Sequence, residues 1–344
     1  MILHDEILEQ PQRLRHLLEN QRETAQRIAQ AIRSHDVQYV VIAARGTSDN
    51  AARYATYLWG ALNGLPVALA TPSLFTYYQT PPRMRGALVV GISQSGQSPD
   101  IVQVVEEGKR QGCLTLAITN TPDSPLAQIA EHHFDIQAGA EKAVAATKTY
   151  TAQLTAIAMI AAALSESSEL WAELWQLPAW AEEVLKDEAR IEQAVQRYRY
   201  MERCAVLGRG FNYATAFEWA LKLKELTYVA AEPYSSADFL HGPIAMIQEG
   251  FPVMVVAPQG KIFASVHQTL EQLRRLRAET VVISNGHEAL NQATTALPIP
   301  EGVPEWLSPL VSILPAQLFT YYLTLARGYD PDHPRTIFKV TRTE

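Results

Sequence analysis

The chain alternates between two kinds of pattern. Val37–Ala43, Pro66–Ala70, Ala87–Ile92, Leu114–Thr119 and His132–Ile136 are short apolar runs that predict buried strands. Between several of them apolar residues recur at helical spacing, as in Asp49–Leu62 and Ser98–Gln111. Glu6–Ser34, ahead of the first strand, spreads Leu14, Leu17, Leu18 and Ile28 among charged positions and predicts a helix. Strands apolar throughout, alternating with helices, predict a parallel sheet covered on both faces.

Leu164–Gln196 breaks this rhythm. It is rich in Glu, Ser, Trp and Ala, has no strand signal, and predicts a helical linkage. The strand–turn–helix pattern restarts at Ala205–Leu207. Phe251–Ala257 and Thr280–Ser284 follow as strands, with the helix Phe263–Ala278 between them. Pro233–Pro243 reads as irregular. The two restarts resemble each other: Ala44-Arg45-Gly46 before Thr47–Ala52, and Gly208-Arg209-Gly210 before Phe211–Ala216. The match is short, but with the same order of elements in both halves it predicts an internal duplication.

Composition narrows the classes. The 344 residues suffice for two domains of ordinary size. Hydrophobic residues at 47% and charged residues at 19% exclude a disordered chain. A net charge of −7 offers no basic field for a nucleic acid backbone. The longest apolar run, near Ile157–Leu164, falls short of the about 20 residues that span a bilayer. Met1–Gln10 carries Asp5, Glu6 and Glu9 and lacks the form of a signal peptide. Cys113 and Cys204 lie in or beside apolar strands and predict two buried thiols, so a cytoplasmic location is expected, with no membrane partner.

Four features could carry chemistry. Ser93-Gln94-Ser95-Gly96-Gln97-Ser98 follows one strand and precedes a helix. Ligands collect beyond the carboxyl ends of such strands. A helix N-terminus with free N–H groups suits phosphate. Thr47 and Ser48 hold the equivalent place after the first strand. The alternative for these serines is a capped, hydroxyl-rich turn. Next, Glu218, Lys222 and Glu225 form one stripe on the predicted helix Phe217–Val229, which is otherwise apolar nearly all round. A solvated row of salt bridges is the ordinary meaning of such spacing. A buried helix instead makes the stripe a polar cleft able to move protons. Third, His241-Gly242-Pro243 sets a histidine on a stiffened turn. Last, the tail Asp330–Glu344 carries Ile337, Phe338 and Val340, poor choices for a frayed end, beside Lys339. The histidines and cysteines show no zinc-type spacing, and no Walker-type sequence occurs, so no metal or cofactor is expected.

The assembled motifs resemble a known family. His4-Asp5-Glu6-Ile7-Leu8-Glu9-Gln10-Pro11, Gly46-Thr47-Ser48, Ser93-Gln94-Ser95-Gly96, Ala145-Ala146-Thr147-Lys148, Leu207-Gly208-Arg209-Gly210, Ala220-Leu221-Lys222-Leu223-Lys224-Glu225, His241-Gly242-Pro243 and Pro334-Arg335…Lys339-Val340-Thr341…Glu344 are similar to the tandem sugar-isomerase (SIS) proteins. That family includes the isomerase part of glucosamine-fructose-6-phosphate aminotransferase and stand-alone amino-sugar-phosphate deaminases. The resemblance implies two flavodoxin-like three-layer αβα SIS domains with parallel sheets, at 36–165 and 197–328. A helical segment at 1–35, a helical linker at 166–196 and a catalytic tail at 329–344 complete the expected layout.

The resemblance also implies roles. Thr47, Ser48, Ser93, Gln94, Ser95 and Ser98 would hold the sugar phosphate, with Val144, Ala146 and Glu218 lining the substrate. Glu225 would move the proton between the first two sugar carbons. Lys222 would stabilise the oxyanion or contact the sugar. His241 would assist ring opening from the partner subunit of a homodimer. Lys339 would approach the open-chain carbonyl. Some residues depart from the synthase pattern: Arg45 replaces cysteine, Gln97-Ser98 replaces Glu-Thr, and Ala146 replaces serine. No segment matches the family's glutaminase domain. Gln97-Ser98-Pro99-Asp100 and Ala145-Ala146-Thr147-Lys148 look more like the deaminases and favour isomerising deamination of glucosamine 6-phosphate to fructose 6-phosphate and ammonia. An aldose–ketose isomerase, an ammonia-dependent aminotransferase and a fructosamine-phosphate deglycase remain open. So does a catalytically inactive sugar-phosphate-binding regulator, although binding alone would not need Lys222, Glu225, His241 and Lys339 together.

Overall fold

The computed structural model describes residues 1–339, so Val340, Thr341 and Glu344 of the motif-bearing tail lie outside it. The first set of apolar runs becomes β1 (Tyr39–Ala43), β2 (Val67–Leu69), β3 (Ala87–Ile92), β4 (Leu114–Thr119) and β5 (His132–Asp135). They form one parallel sheet in the order β2-β1-β3-β4-β5. The second set is β6 (Arg203–Gly208), β7 (Ala230–Ser235), β8 (Pro252–Val256), β9 (Glu279–Ser284) and β10 (Thr295–Pro298), ordered β10-β9-β8-β6-β7. Read from its other edge, the second sheet repeats the first strand for strand. This is the doubly wound, flavodoxin-like order. The expected fold and its duplication are present.

Burial explains which strands the pattern shows. β3 and β4 are buried at every position and read as unbroken apolar runs. β7 and β10 are edge strands with several half-exposed positions, and β7 also contains Glu232 and Pro233. Neither is expected from pattern. The stretch read as irregular is instead β7, the helix Ser236–Leu240 and a short 3-10 turn at Pro243–Met246. A proline is tolerated at a sheet edge because its missing N–H faces no partner there.

The chain divides into two compact units, each built on one sheet. One comprises the first sheet with Gln12–Glu141, Lys148–Trp175, Phe338 and Lys339. The other comprises the second sheet with Met1–Pro11, Lys142–Thr147 and Gln176–Ile337. In the first, the helix Lys148–Ser165 is buried along nearly its whole length and packs on the helix Gly46–Asn63. Trp59 Nε1 donates to the Ile157 carbonyl at 3.1 Å and ties the two together. In the second, the helix Ser308–Ala326 is the core. Although Ser312, Gln317, Thr320 and Thr324 interrupt it, and Ile157–Leu164 remains within the longest unbroken apolar run, it is long and apolar enough to cross a membrane. Yet 83% of it is buried inside the protein, which marks a core helix. Both cysteines are free and buried, and burial pushes the Cys204 thiol up to about 12.

The opening segment has a structural task within the second unit. The buried Glu6 carboxylate accepts the backbone N–H of Lys142 at 2.5 Å and of Ala143 at 3.2 Å. Gln10 Nε2 donates to Gln317 Oε1 at 2.8 Å, and Gln317 Nε2 donates to the Thr147 carbonyl at 3.4 Å. Lys142–Thr147 is thereby held at both ends. Glu6→Ala is expected to cost about 2–3 kcal/mol, because two charge-assisted bonds vanish and sheltered N–H groups lose their acceptor. Urea unfolding of the variant checks this, and a change below about 0.5 kcal/mol would place Glu6 among neutral surface sites.

Candidate active site

In this strand order, ligands bind where the connections diverge, between the first and third strands. β1 and β3 are neighbours, so the loops Ala44–Ser48 and Ser93–Ser98 leave the sheet side by side. Thr47 lies half-buried in the first turn of the helix Gly46–Asn63. Ser48 is buried, and its Oγ accepts Gln153 Nε2 at 3.0 Å. Beside it, burial raises the Asp49 carboxyl, and Arg53 at 3.0 Å pulls it partly back.

The serine loop is shaped by its own hydroxyls. Ser93 Oγ accepts the Gly96 N–H at 3.1 Å, and Ser95 Oγ accepts the Gln97 N–H at 3.3 Å. Gly96 has φ +62°, and a Cβ there would fall 2.1 Å from Ser124 Oγ, so only glycine fits. The Gln94 carbonyl accepts the Asn120 N–H at 3.1 Å. Ser98 is the N-cap of the helix Pro99–Arg110, but its hydroxyl makes no capping bond. The loop is thus a turn braced by its own hydroxyls at the N-terminus of that helix. Arg45 Nε donates to Asp100 Oδ2 at 2.8 Å and so ties the first loop to the helix that follows the second; Asp100 is almost wholly buried.

Further along the same sheet edge, a groove of about 530 Å³ is lined by Arg13, Gln94, Asn120, Asp135 and Glu141. Lys339 reaches this rim, where its Nζ donates to Glu141 Oε2 at 2.6 Å. Phe338 beside it is 79% exposed and does not dock. In the other unit Asp332 accepts the Ile2 and Leu3 N–H groups at 3.0 and 2.8 Å. There too the Arg335 guanidinium stacks 4.3 Å from the Tyr228 ring.

The second unit holds the charged stripe. Glu218 and Lys222 are buried, and Glu225 keeps 23% of its side chain exposed. Lys222 Nζ lies 2.5 Å from Glu225 Oε2 and 3.5 Å from Glu218 Oε1. The row is therefore not a solvated salt-bridge face. The α-helix Tyr213–Lys222 gives way to a π-helical turn at Leu223–Thr227, ended by Tyr228 at φ +59°. Such turns insert an extra residue and re-aim side chains, often at functional sites. A carboxylate that is reachable, beside an ammonium that is not, can exchange protons with a ligand. Val144 and Ala146 are half-buried in the braced segment Lys142–Thr147. His241 is exposed after the helix Ser236–Leu240, and its imidazole makes no hydrogen bond or ion pair among the described residues.

The second sheet lacks an open counterpart of the serine loop. After β8, the N–H groups of Lys261 and Ile262 donate to the two oxygens of Glu305 at 2.9 and 3.3 Å. Gly260, at φ +157°, lets that carboxylate lie against the backbone. Glu6, Glu141, Gln317 and Glu305 all escape sequence reasoning, since each acts on a backbone or side chain remote in the chain or in an irregular segment.

A family model described as the SIS domain matches twice, at residues 35–163 and 199–327. Glutamine–fructose-6-phosphate aminotransferase [isomerizing] of Thermococcus kodakarensis is 33% identical over 98% of this chain and 57% of its own length. The chain thus spans little more than half the length of such relatives. The C-terminal domain of glucosamine-fructose-6-phosphate aminotransferase from Francisella tularensis superimposes with a TM-score of 0.86 at 26% identity, covering 97% of this chain and 98% of that one. Glucosamine-6-phosphate deaminase from Thermotoga maritima gives 0.81 over the full length of both chains; at 20% identity the likeness is one of fold.

Proposed function

Because this chain belongs to the SIS domain family and is related to the C-terminal domain of glucosamine-fructose-6-phosphate aminotransferase, we propose that it is an amino-sugar-phosphate deaminase. The reaction is glucosamine 6-phosphate plus water to fructose 6-phosphate plus ammonia. The observation that carries the reading is the buried Glu218–Lys222–Glu225 cluster with one reachable carboxylate. A protein that only bound sugar phosphate would not need it.

In this reading Thr47, Ser48 and Ser93–Ser98 seat the phosphate, and Val144, Ala146 and Glu218 line the sugar. His241, exposed in the single chain, is donated across a homodimer and assists ring opening. Glu225 takes the proton from the second carbon and returns it to the first through an enolamine. Lys222 balances the oxygen charge that develops. The resulting imine is hydrolysed, which frees ammonia and leaves the ketone. Lys339 serves the open-chain carbonyl. Deamination is favoured by Gln97-Ser98-Pro99-Asp100 and Ala145-Ala146-Thr147-Lys148, which look more like the deaminases. Arg45 and Asp100 tie the first phosphate loop to the helix that follows the second. The cytoplasm is the proposed compartment, as two free buried thiols suit a reducing one.

The test is ammonia release from the purified chain across hexosamine and fructosamine 6-phosphates, with the sugar product identified. Ammonia with fructose 6-phosphate from glucosamine 6-phosphate is expected. Sugar interconversion without ammonia would make it an aldose–ketose isomerase, ammonia from a fructosamine phosphate alone a deglycase, and binding without turnover a regulator. Ser95→Ala is expected to raise KM more than it lowers kcat, since phosphate contacts far from the reacting carbons act as uniform binding. An unchanged KM would reduce the loop to a capped turn.

A further inference from the structure

We propose that Glu141 is the positioning residue for Lys339. The proposal rests on the reading above, in which Lys339 serves the reacting carbonyl. Glu141 lies in the irregular segment between β5 and the helix Lys148–Ser165, and its side chain has no exposed surface. Its carboxylate is fixed from one side. Thr149 donates its N–H to Oε1 at 3.1 Å and its hydroxyl to Oε2 at 2.8 Å. Lys148 Nζ donates to the preceding carbonyl, Ala140, at 2.6 Å, which pins the backbone at Glu141. Asn120 secures the approach by accepting the Ala138 N–H at 2.9 Å and donating to the Gly139 carbonyl at 2.7 Å.

The oxygen that accepts the Thr149 hydroxyl also receives Lys339. A buried carboxylate in a fixed pose draws a cation strongly, because it is costly to leave unmatched. The Lys339 side chain, only 24% exposed, ends at Glu141, which lines the groove together with Gln94. Glu141 therefore sets where the tail ammonium waits, on the same rim as the serine loop. Misplacing a reacting group by an ångström can cost on the order of 10²-fold.

The test is a double-mutant cycle on kcat and KM, with melting temperatures recorded. Glu141→Gln is expected to lower kcat roughly ten- to hundred-fold with KM little changed. It should have no further effect in a Lys339→Ala background. Thr149→Val, which removes one of the two donors that aim the carboxylate, should show a smaller loss that also vanishes in Lys339→Ala. It carries the test if Glu141→Gln does not fold. Additive losses would make Glu141 merely structural and overturn the proposal. An unimpaired Glu141→Gln beside an inactive Lys339→Ala overturns the positioning role alone. A fully active Lys339→Ala overturns the underlying reading of the tail.

Discussion

Glu225→Gln is expected to lower kcat by roughly 10²- to 10⁴-fold while leaving sugar-phosphate affinity within a few-fold. The amide keeps the shape of the side chain and removes its capacity to accept a proton. Folding should survive for a specific reason. Lys222 sits between two carboxylates, so losing Glu225 leaves the ammonium paired with Glu218 at 3.5 Å. The opposite change, Lys222→Met, takes a cation from a wholly buried carboxylate and is expected to destabilise the protein. Steady-state kinetics with calorimetric binding of glucosamine 6-phosphate decides the matter. A Glu225→Gln protein within about threefold of the parent would remove Glu225 from the mechanism.

Deleting residues 335–344 is expected to leave a folded protein with little or no activity, and Lys339→Ala should reproduce most of that loss. The anchors of the tail lie upstream of the cut. Asp332 still receives the Ile2 and Leu3 N–H groups, and Pro334 remains buried. The truncation removes the Arg335 stack on Tyr228 and Tyr329, worth about 0.5–1 kcal/mol at a site this exposed, and takes the Lys339 ammonium from Glu141, whose carboxylate keeps both Thr149 donors. The melting temperature should therefore move by a few degrees only, whereas turnover depends on one amine. Borohydride reduction in the presence of substrate, followed by peptide mass analysis, can trap that amine as an adduct. Full activity in both variants would leave the tail as packing alone.

The legible parts of this protein are those where local pattern and tertiary role agree. β3 and β4 are central strands buried throughout, so their apolar runs stand out. The serine loop is contiguous, and the Glu218–Lys222–Glu225 stripe sits within two helical turns. β7 and β10 lie at sheet edges, where half the side chains meet water and the run is broken. The helix Ser308–Ala326 is apolar all round and has no periodicity to detect. The π-helical turn at Leu223–Thr227 has no signature in residue type. Glu141 is illegible because Lys339, which meets it, lies 198 residues away. Phe338 misleads in the other direction: its apolar character suggests docking, but the neighbouring lysine makes the contact.

The carboxylate of Glu305 gives the duplication an asymmetry of stoichiometry. It bonds the two N–H groups after β8, in the place that the serine loop holds after β3. A group tethered by its own chain acts at an effective concentration of the order of millimolar or above. A free phosphate monoester arriving there meets a resident competitor that never diffuses away. In the reading proposed above, the two copies of one fold therefore divide the work, and the phosphate is seated on the serine loop of the first. In that reading the second copy, relieved of the phosphate, gives Val144, Ala146 and Glu218 to the sugar and its Lys222–Glu225 helix to the proton chemistry.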